Sequence, residues 1–296
     1  MKMKKLMSLA MVGAMCITMF PTGVSAKENV KIEYWHTMSG VNGEAMDQVV
    51  KDFNETVGKE KGITVESVYQ GDDVSEKLKT LAQANDTKNF PNVGQVVCSC
   101  IPSALGYEQL VKVDDMYEKG ENISVPKEDI DEHAVRAVSY KDEMIAMPFN
   151  VSSILLYYNK TMFEEAGLDP ENPPATIAEM AEACKKLVQK DGDEITRYGL
   201  NVAVRRYQLV NWIGGQGEYN FFEGGRAGMM SKLTCGEDGT LDKFLTEWEK
   251  VIQSGGYKEI EDNINEEFAM QLFGMAIMSS ARIGKINSLV GENFEW

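Results

Sequence analysis

The chain has 296 residues, of which 43% are hydrophobic and 26% are charged, and its formal net charge is −16. Apolar residues run through the whole sequence, which excludes an intrinsically disordered chain and predicts a soluble globular one. The 46 acidic residues against 30 basic ones create a field that repels phosphate backbones, so no nucleic acid partner is expected. The same charge argues against attachment to an anionic membrane surface.

The first 26 residues have the three parts of a secretory signal peptide. A basic start is followed by an uncharged apolar run at residues 6–20, and small residues precede a cleavage site predicted after Ala26. The alternative is a membrane anchor, but the run is shorter than the roughly 20 apolar residues that a span needs. A lipid anchor at Cys16 is not expected, because Met15 precedes it where a small residue is required. The sequence therefore predicts export.

After the signal peptide, strand and helix patterns alternate. Apolar residues recur at every second position in the strands and at helical spacing between them. Asp72 or Asp73 can cap the second helix. This order predicts an α/β structure with a largely parallel sheet. The predicted elements are a strand at 30–34, a helix at 43–57, a strand at 63–69, a helix at 72–84 and a strand at 93–98.

A second block with the same alternation begins near residue 150. Thr176 and Glu179 have the spacing of a capping box, which predicts a helix start there. The two blocks meet at residues 147–150, which is too short for a flexible linker. We therefore expect two lobes joined by crossing strands, lobe 1 at residues 27–149 and lobe 2 at residues 150–296. The predicted elements of lobe 2 are a strand at 154–158, helices at 159–166 and from 176, a strand at 198–204 and a helix at 241–252.

Signatures of catalysis, cofactor binding and metal binding are not found. The sequence has no nucleophile elbow, no zinc-protease motif and no phosphate-binding loop. Four cysteines follow the signal peptide, at positions 98, 100, 184 and 235, and there are only two histidines. This pattern favours buried cysteines over a metal site or a disulfide framework. No catalytic residue, cofactor or metal is predicted.

The loop between the first strand and the first helix is a candidate ligand-binding site. Ligands of open parallel sheets bind outside the carboxyl ends of the strands, which is where residues 35–40 lie. Trp35 could present a flat face to a sugar ring, with His36 beside it, and the helix start offers unpaired N–H groups. The alternatives are a core position for Trp35 and a hydrogen bond to the backbone for His36.

Several short motifs occur in a fixed order along the chain. In this order they resemble the family 1 extracellular solute-binding proteins of ATP-driven importers, and most closely their glycerol-3-phosphate and sugar-binding branch. The resemblance implies a periplasmic-binding-protein-like (type II) fold, in which two α/β lobes close on a ligand by hinge bending. The motifs are Tyr34-Trp35-His36, Tyr69-Gln70-Gly71, Phe90-Pro91-Asn92-Val93, residues 147–150, residues 156–160 and Phe273-Gly274-Met275-Ala276.

The resemblance also implies ligand-binding residues. Ser152 matches a ligand-contacting serine of the glycerol-3-phosphate-binding branch. Asp73, Cys98 and Arg282 stand where that branch has a tyrosine, a glutamate and a serine, so the match does not extend to glycerol-3-phosphate itself. Arg282 could instead hold a carboxylate or phosphate by two parallel hydrogen bonds, or be a surface arginine paired with an acid. Two further aromatic residues come from a region where relatives place stacking side chains. The predicted ligand-binding residues are Trp35, His36, Asp73, Cys98, Ser152, Tyr207, Trp212 and Arg282.

These observations predict an extracytoplasmic, non-enzymatic receptor. It would capture a sugar, oligosaccharide or polyol-phosphate-like solute and pass it to importer permease subunits, acting as a monomer. Relatives continue past the position of Trp296, so the second crossover, the segment returning to lobe 1 and the end of lobe 2 are expected beyond this sequence. Two alternatives remain open: an exported glycoside hydrolase with a carboxylate pair, and a surface adhesion protein.

Overall fold

The chain divides into two compact units, the first ending at Val97 and the second running from Cys98 to Trp296. The predicted signal peptide lies outside the residues described, and within those residues no helix has the length and apolar character needed to cross a bilayer. The predicted lobe boundary, between residues 149 and 150, falls inside the second unit, and the division into lobes stays a prediction. The computed structural model describes residues 29–71, 73–120, 124–216, 221–223, 231–259 and 262–296.

The first unit contains a three-stranded parallel sheet. Its central strand pairs with the other two, and Val30 lies opposite Ile63 in the register. The predicted strand–helix alternation is confirmed here. The elements are β1 (Val30–His36), α1 (Gly40–Phe53), a π-helical turn (Asn54–Gly58), α2 (Lys59–Lys61), β2 (Ile63–Tyr69), α3 (Val74–Gln83), a 3-10 turn (Thr87–Asn89) and β3 (Val93–Gly94), with β1 at the centre.

In the first unit, the bounds of α1 and β3 differ most from the prediction. Helix α1 begins at Gly40 and not at residue 43, after Ser39 in an extended conformation. It passes into the π-helical turn, where a Cβ on Gly58 would lie 2.5 Å from the Ile63 carbonyl oxygen, so this packing requires glycine. Strand β3 is shorter than predicted: it ends at Gly94, and a 3-10 turn follows at Cys98–Cys100.

The second unit contains a mixed five-stranded sheet and a separate two-stranded hairpin. The capping box is confirmed at the start of its longest predicted helix: Thr176 Oγ1 accepts from the Glu179 N–H, and the Glu179 carboxylate accepts from the Thr176 N–H, both at 3.1 Å. The elements are α4 (Ile101–Ala104), α5 (Val113–Lys119), α6 (Glu132–Ala137), β4 (Ser139–Tyr140), β5 (Glu143–Met144), β6 (Ile154–Tyr158), α7 (Lys160–Glu165), α8 (Ile177–Leu187), β7 (Gln189–Asp191), β8 (Glu194–Asn201), α9 (Arg206–Gly214), α10 (Thr240–Gln253), β9 (Tyr257–Lys258), α11 (Ile264–Ala269), β10 (Phe273–Ser279), and α12 (Ile283–Val290).

Strand β10 lies inside this sheet, between β6 and β8, and the sequence patterns did not predict it as a strand. The sheet order is β6-β10-β8-β7, with β9 also paired to β8. Strand β10 runs antiparallel to β6 and parallel to β8. Residues Met275 and Ile277 pack into one hydrophobic core with α8 and α10, and Ala276 and Met278 pack into another with α11 and α12. Because both faces are buried, the strand shows no polar alternation.

Candidate functional site

Trp35 and His36 lie at the carboxyl end of β1, and both side chains have partners within the first unit. The Trp35 indole N–H donates a hydrogen bond to the Glu33 carboxylate. His36 is only 3% exposed, and its Nδ1 accepts from the Met38 N–H at 3.2 Å. The ring proton therefore sits on Nε2, which donates to Ser67 Oγ at 2.8 Å. His36 is thus hydrogen-bonded to the backbone, which was the alternative to a ligand contact. A solute that bonds to the His36 ring nitrogens would have to replace one of these two hydrogen bonds.

Asp73 and Cys98 each lie at the start of a helical segment. Asp73 is the N-cap of α3, where its Oδ1 accepts from the Glu76 N–H at 2.9 Å. Cys98 is exposed at the start of its 3-10 turn, so the predicted burial of the cysteines is wrong at this position, while Cys184 and Cys235 are buried. Among the residues described, no group of three or more His, Cys, Asp or Glu side chains could hold a metal ion.

Ser152, Tyr207 and Arg282 come together at one pocket of the second unit. Its volume is about 450 Å³. The apolar part of the lining consists of Ile154, Ala203, Ile264, Ile277 and Met278. The polar part consists of Ser152, Ser153, Tyr207, Gln208, Asn211, Ser279 and Arg282. The pocket therefore joins an apolar surface to hydroxyl, amide and guanidinium groups, a combination typical of small-molecule sites.

The sheet topology explains why distant residues meet at this pocket. Strands β8 and β10 are parallel, so their carboxyl ends reach the same edge of the sheet. Strand β6 is antiparallel to β10, and Ile154 at its start lies opposite Ser279 at the end of β10. The Ser280 N–H donates to the Ser153 carbonyl at 2.8 Å, and the Ser153 N–H donates to Ser280 Oγ at 3.0 Å. These bonds join the two segments that carry Ser152 and Arg282.

Helix α9 supplies the opposite part of the polar lining. Tyr207 and Asn211 are one helical turn apart and share a face, with Gln208 beside them. Gln208 Oε1 accepts from the Arg205 N–H at 3.1 Å, which satisfies one free donor at the helix start. The Arg206 guanidinium lies 4.9 Å from the centre of the Tyr207 ring and donates to the Tyr207 hydroxyl at 3.2 Å. The Tyr207 ring remains 54% exposed at the rim.

Among the described residues that line the pocket, Arg282 is the only charged one. Near it, the buried Tyr157 hydroxyl donates to the Ser279 carbonyl at 2.8 Å. Burial raises the pKa of the Tyr157 phenol, and the charge of Arg282 opposes that rise. Glu266 pairs with Lys285 at 3.3 Å, and hydrogen bonds from its own backbone N–H and from Lys285, together with the Arg282 charge, hold its carboxyl pKa below the ordinary range. Arg282 therefore contributes a positive charge to the pocket of an acidic chain.

Trp212 is on the same helix as Tyr207 but does not line the pocket. Its ring stacks on Phe244, with centroids 5.6 Å apart, and on Trp248, with centroids 5.2 Å apart. All three belong to the hydrophobic core that α8 and α10 form with the sheet. The structure therefore places Trp212 in the core, and its predicted contact with a ligand is not visible in this arrangement.

Sequence reasoning missed several lining residues. Asn211 could have been found from Tyr207, four positions before it, and Gln208 from Asn211, three positions after it, because positions three and four apart on a helix share a face. Ser153 could have been found as the neighbour of Ser152. No sequence signal pointed to Ile264, which reaches the pocket at the start of α11.

Comparison with known proteins gives one consistent result. Residues 48–296 match the sequence model of a family described as bacterial extracellular solute-binding protein. The sn-glycerol-3-phosphate-binding periplasmic protein UgpB of Agrobacterium fabrum is 33% identical over 192 residues, which are 63% of this chain and 42% of that protein. The corresponding protein of Brucella suis is 32% identical over 183 residues, 60% of this chain and 40% of its own. The chain thus spans less than half the length of these relatives.

Solved structures show the same similarity at the level of the fold. UgpB from Mycobacterium tuberculosis in complex with glycerophosphocholine superposes with a TM-score of 0.68 at 20% identity, covering 90% of this chain and 63% of that one. The cyclic alpha-maltosyl-1,6-maltose binding protein from Arthrobacter globiformis gives a TM-score of 0.66 at 20% identity, covering 90% and 64%. The predicted α/β, periplasmic-binding-protein-like fold is therefore confirmed.

Proposed function

Because this chain belongs to the bacterial extracellular solute-binding proteins, we propose that it is the solute receptor of an ATP-driven importer and has no catalytic activity of its own. The family predicted from the ordered motifs is confirmed by the match over residues 48–296. The relatives compared with this chain are named for the solutes that they bind. The receptor would bind by replacing the hydrogen bonds that the solute makes with water.

The observation that carries the proposal is the pocket where Ser152, Tyr207 and Arg282 meet. Its apolar residues suit the carbon face of a sugar ring, and the exposed Tyr207 ring offers a second flat surface. Serine and amide groups around them suit a ring of hydroxyls. The solute would therefore be a sugar, an oligosaccharide or a polyol-phosphate-like compound, in agreement with the ligands named for the relatives.

The wider setting of the receptor is part of the same proposal. Export through the predicted signal peptide, at residues 1–26, would place it outside the cytoplasm, where it would meet the importer permease subunits. It would act as a monomer without a nucleic acid partner, metal or cofactor. Lobe 1 (residues 27–149) and lobe 2 (residues 150–296) would close around the solute, and Trp35, His36, Asp73 and Cys98 would contribute from lobe 1.

Calorimetric titration of the chain tests the proposal. The panel would contain neutral monosaccharides, malto-oligosaccharides, glycerol-3-phosphate and glycerophosphocholine. We expect saturable binding of at least one compound, weakened about tenfold or more by Ser152→Ala and by Tyr207→Ala. Ser288→Ala, an exposed serine outside the pocket, is the control and should bind normally. Absence of binding by a chain that circular dichroism shows to be folded would contradict the proposal, as would release of reducing sugar from a bound glycoside.

A further inference from the structure

Arg282 differs from the other arginines in its contacts. The structure describes five of the six arginines, and within the described part of the chain the Arg282 guanidinium has no hydrogen bond, ion pair or aromatic partner. The other four all have one: Arg136 pairs with Glu132 at 3.8 Å, Arg197 with Glu165 at 3.2 Å, Arg205 with Glu259 at 2.8 Å, and Arg206 stacks on Tyr207.

The lack of an acidic partner for Arg282 is unexpected in a chain with so many acidic residues. The chain has 46 acidic residues against 30 basic ones, so an arginine has a large excess of potential carboxylate partners. The acid that Arg282 influences, Glu266, makes its ion pair with Lys285 at 3.3 Å. The alternative of a surface arginine paired with an acid is therefore not observed. Arg282 lines the pocket, and its guanidinium donates to no group among the residues that the structure describes.

We propose that Arg282 binds the carboxylate of an acidic sugar, so that the preferred solute is a uronate or a uronate-containing oligosaccharide. This inference rests on the proposed function and names the class of solute. A carboxylate carries one negative charge, and its two oxygens accept two parallel hydrogen bonds from one guanidinium group. A phosphate monoester carries about −1.5 to −2 charges at neutral pH, more than one cation balances. The remaining polar lining, exemplified by Gln208 and Asn211, is neutral and suits the sugar hydroxyls.

Matched ligands separate this inference from general sugar binding. The probes are D-galacturonate, D-glucuronate, their uncharged methyl esters, D-galactose and D-galactose 1-phosphate, each titrated calorimetrically into the chain. The free acid should bind roughly 10- to 100-fold more tightly than its methyl ester, because only the acid makes charge-assisted hydrogen bonds to Arg282. Arg282→Gln should remove this preference. Arg136→Gln removes the same charge outside the pocket and should retain the preference.

The possible results are distinguishable. Equal affinity for the acid and its ester, or an unchanged preference in Arg282→Gln, overturns the uronate assignment and leaves solute capture standing. Tighter, Arg282-dependent binding of the sugar phosphate overturns the carboxylate class in favour of a phosphate. If a folded chain binds none of these probes and none of the neutral or phosphorylated compounds of the first panel, both the assignment and the proposed function fail. Arg282→Lys tests the geometry of the contact, because a lysine keeps the positive charge but cannot donate two parallel hydrogen bonds to one carboxylate as arginine does.

Discussion

Ser153 and Ser280 are joined by two hydrogen bonds although 127 residues separate them in the chain. The Ser280 N–H donates to the Ser153 carbonyl at 2.8 Å, and Ser280 Oγ accepts from the Ser153 N–H at 3.0 Å. This pair extends the β6–β10 ladder beyond its last paired residues, Ile154 and Ser279. It thereby holds the segment before β6 against the segment after β10, and these two segments carry Ser152 and Arg282.

Removing the Ser280 hydroxyl should loosen this connection. Ser280→Ala leaves the Ser153 N–H without its acceptor, so we expect a loss of roughly 1 kcal/mol in the free energy of unfolding, measured by urea denaturation. Solute affinity should fall as well, because only the bond from the Ser280 N–H to the Ser153 carbonyl then joins the segments that carry Ser152 and Arg282. Ser288→Ala is the control, since that exposed hydroxyl bonds only within α12, to the Gly284 carbonyl at 2.9 Å. An equal effect of the two substitutions would contradict the role given to Ser280.

Substitutions of Trp212 separate a core role from a ligand-stacking role. Trp212→Ala removes a ring stacked on Phe244 and Trp248, so we expect unfolding to become easier by roughly 3 kcal/mol. Trp212→Phe keeps an aromatic ring in the stack and should cost less, with solute affinity unchanged. Calorimetric titration of a stable Trp212→Phe variant measures the second expectation. A tenfold loss of affinity there would instead support the ligand contact predicted from the resemblance.

Gly199 lies where two buried segments approach closely. A Cβ at this position would be 2.4 Å from the Cys184 carbonyl oxygen and 2.6 Å from the Cys184 Cα. Since these are backbone atoms, β8 or α8 must shift, and we expect Gly199→Ala to destabilise the chain by roughly 1–3 kcal/mol or more. Gly284→Ala in α12 is the matched control, because nothing lies within 4 Å of its Cβ position. That variant should be at least as stable as the unmodified chain in thermal denaturation, because alanine favours a helix more than glycine does.

The Tyr257 phenol should make stability depend on alkaline pH. Burial raises its pKa to about 12, and its hydroxyl donates to the Val202 carbonyl at 3.0 Å. In the unfolded chain a tyrosine ionises near pH 10, so above that pH the unfolded state binds fewer protons than the folded state. The stabilising contribution is complete below about pH 10 and is lost as the pH rises towards about 12. The urea midpoint should therefore fall over this range, and less steeply in Tyr257→Phe.

Much of the fold could be read from local sequence patterns. The strand patterns of β1, β2 and β6 and the capping box at Thr176 are local features, and the structure confirms them. Strand β10 was recognised only as part of a family motif, because a strand buried on both faces has the continuous apolar character that a buried helix also has. The candidate site likewise has residues that the sequence indicated and residues that it did not. Ser152, Tyr207 and Arg282 were singled out from the sequence, whereas Ile264 carried no signal.

The sequence by itself determined the fold class, the family and the approximate positions of β1, β2, β6, α8 and α10, because periodicity, capping and ordered motifs act over a few residues. Only the tertiary structure decided which polar residues share a pocket. That depends on the parallel pairing of β8 with β10 and the antiparallel pairing of β6 with β10, which are contacts between residues far apart in the chain. It also decided that His36 bonds to Ser67 and Met38, whereas Arg282 lines the pocket and donates to none of the other described residues. The partners of a side chain are set by packing and not by its neighbours in sequence.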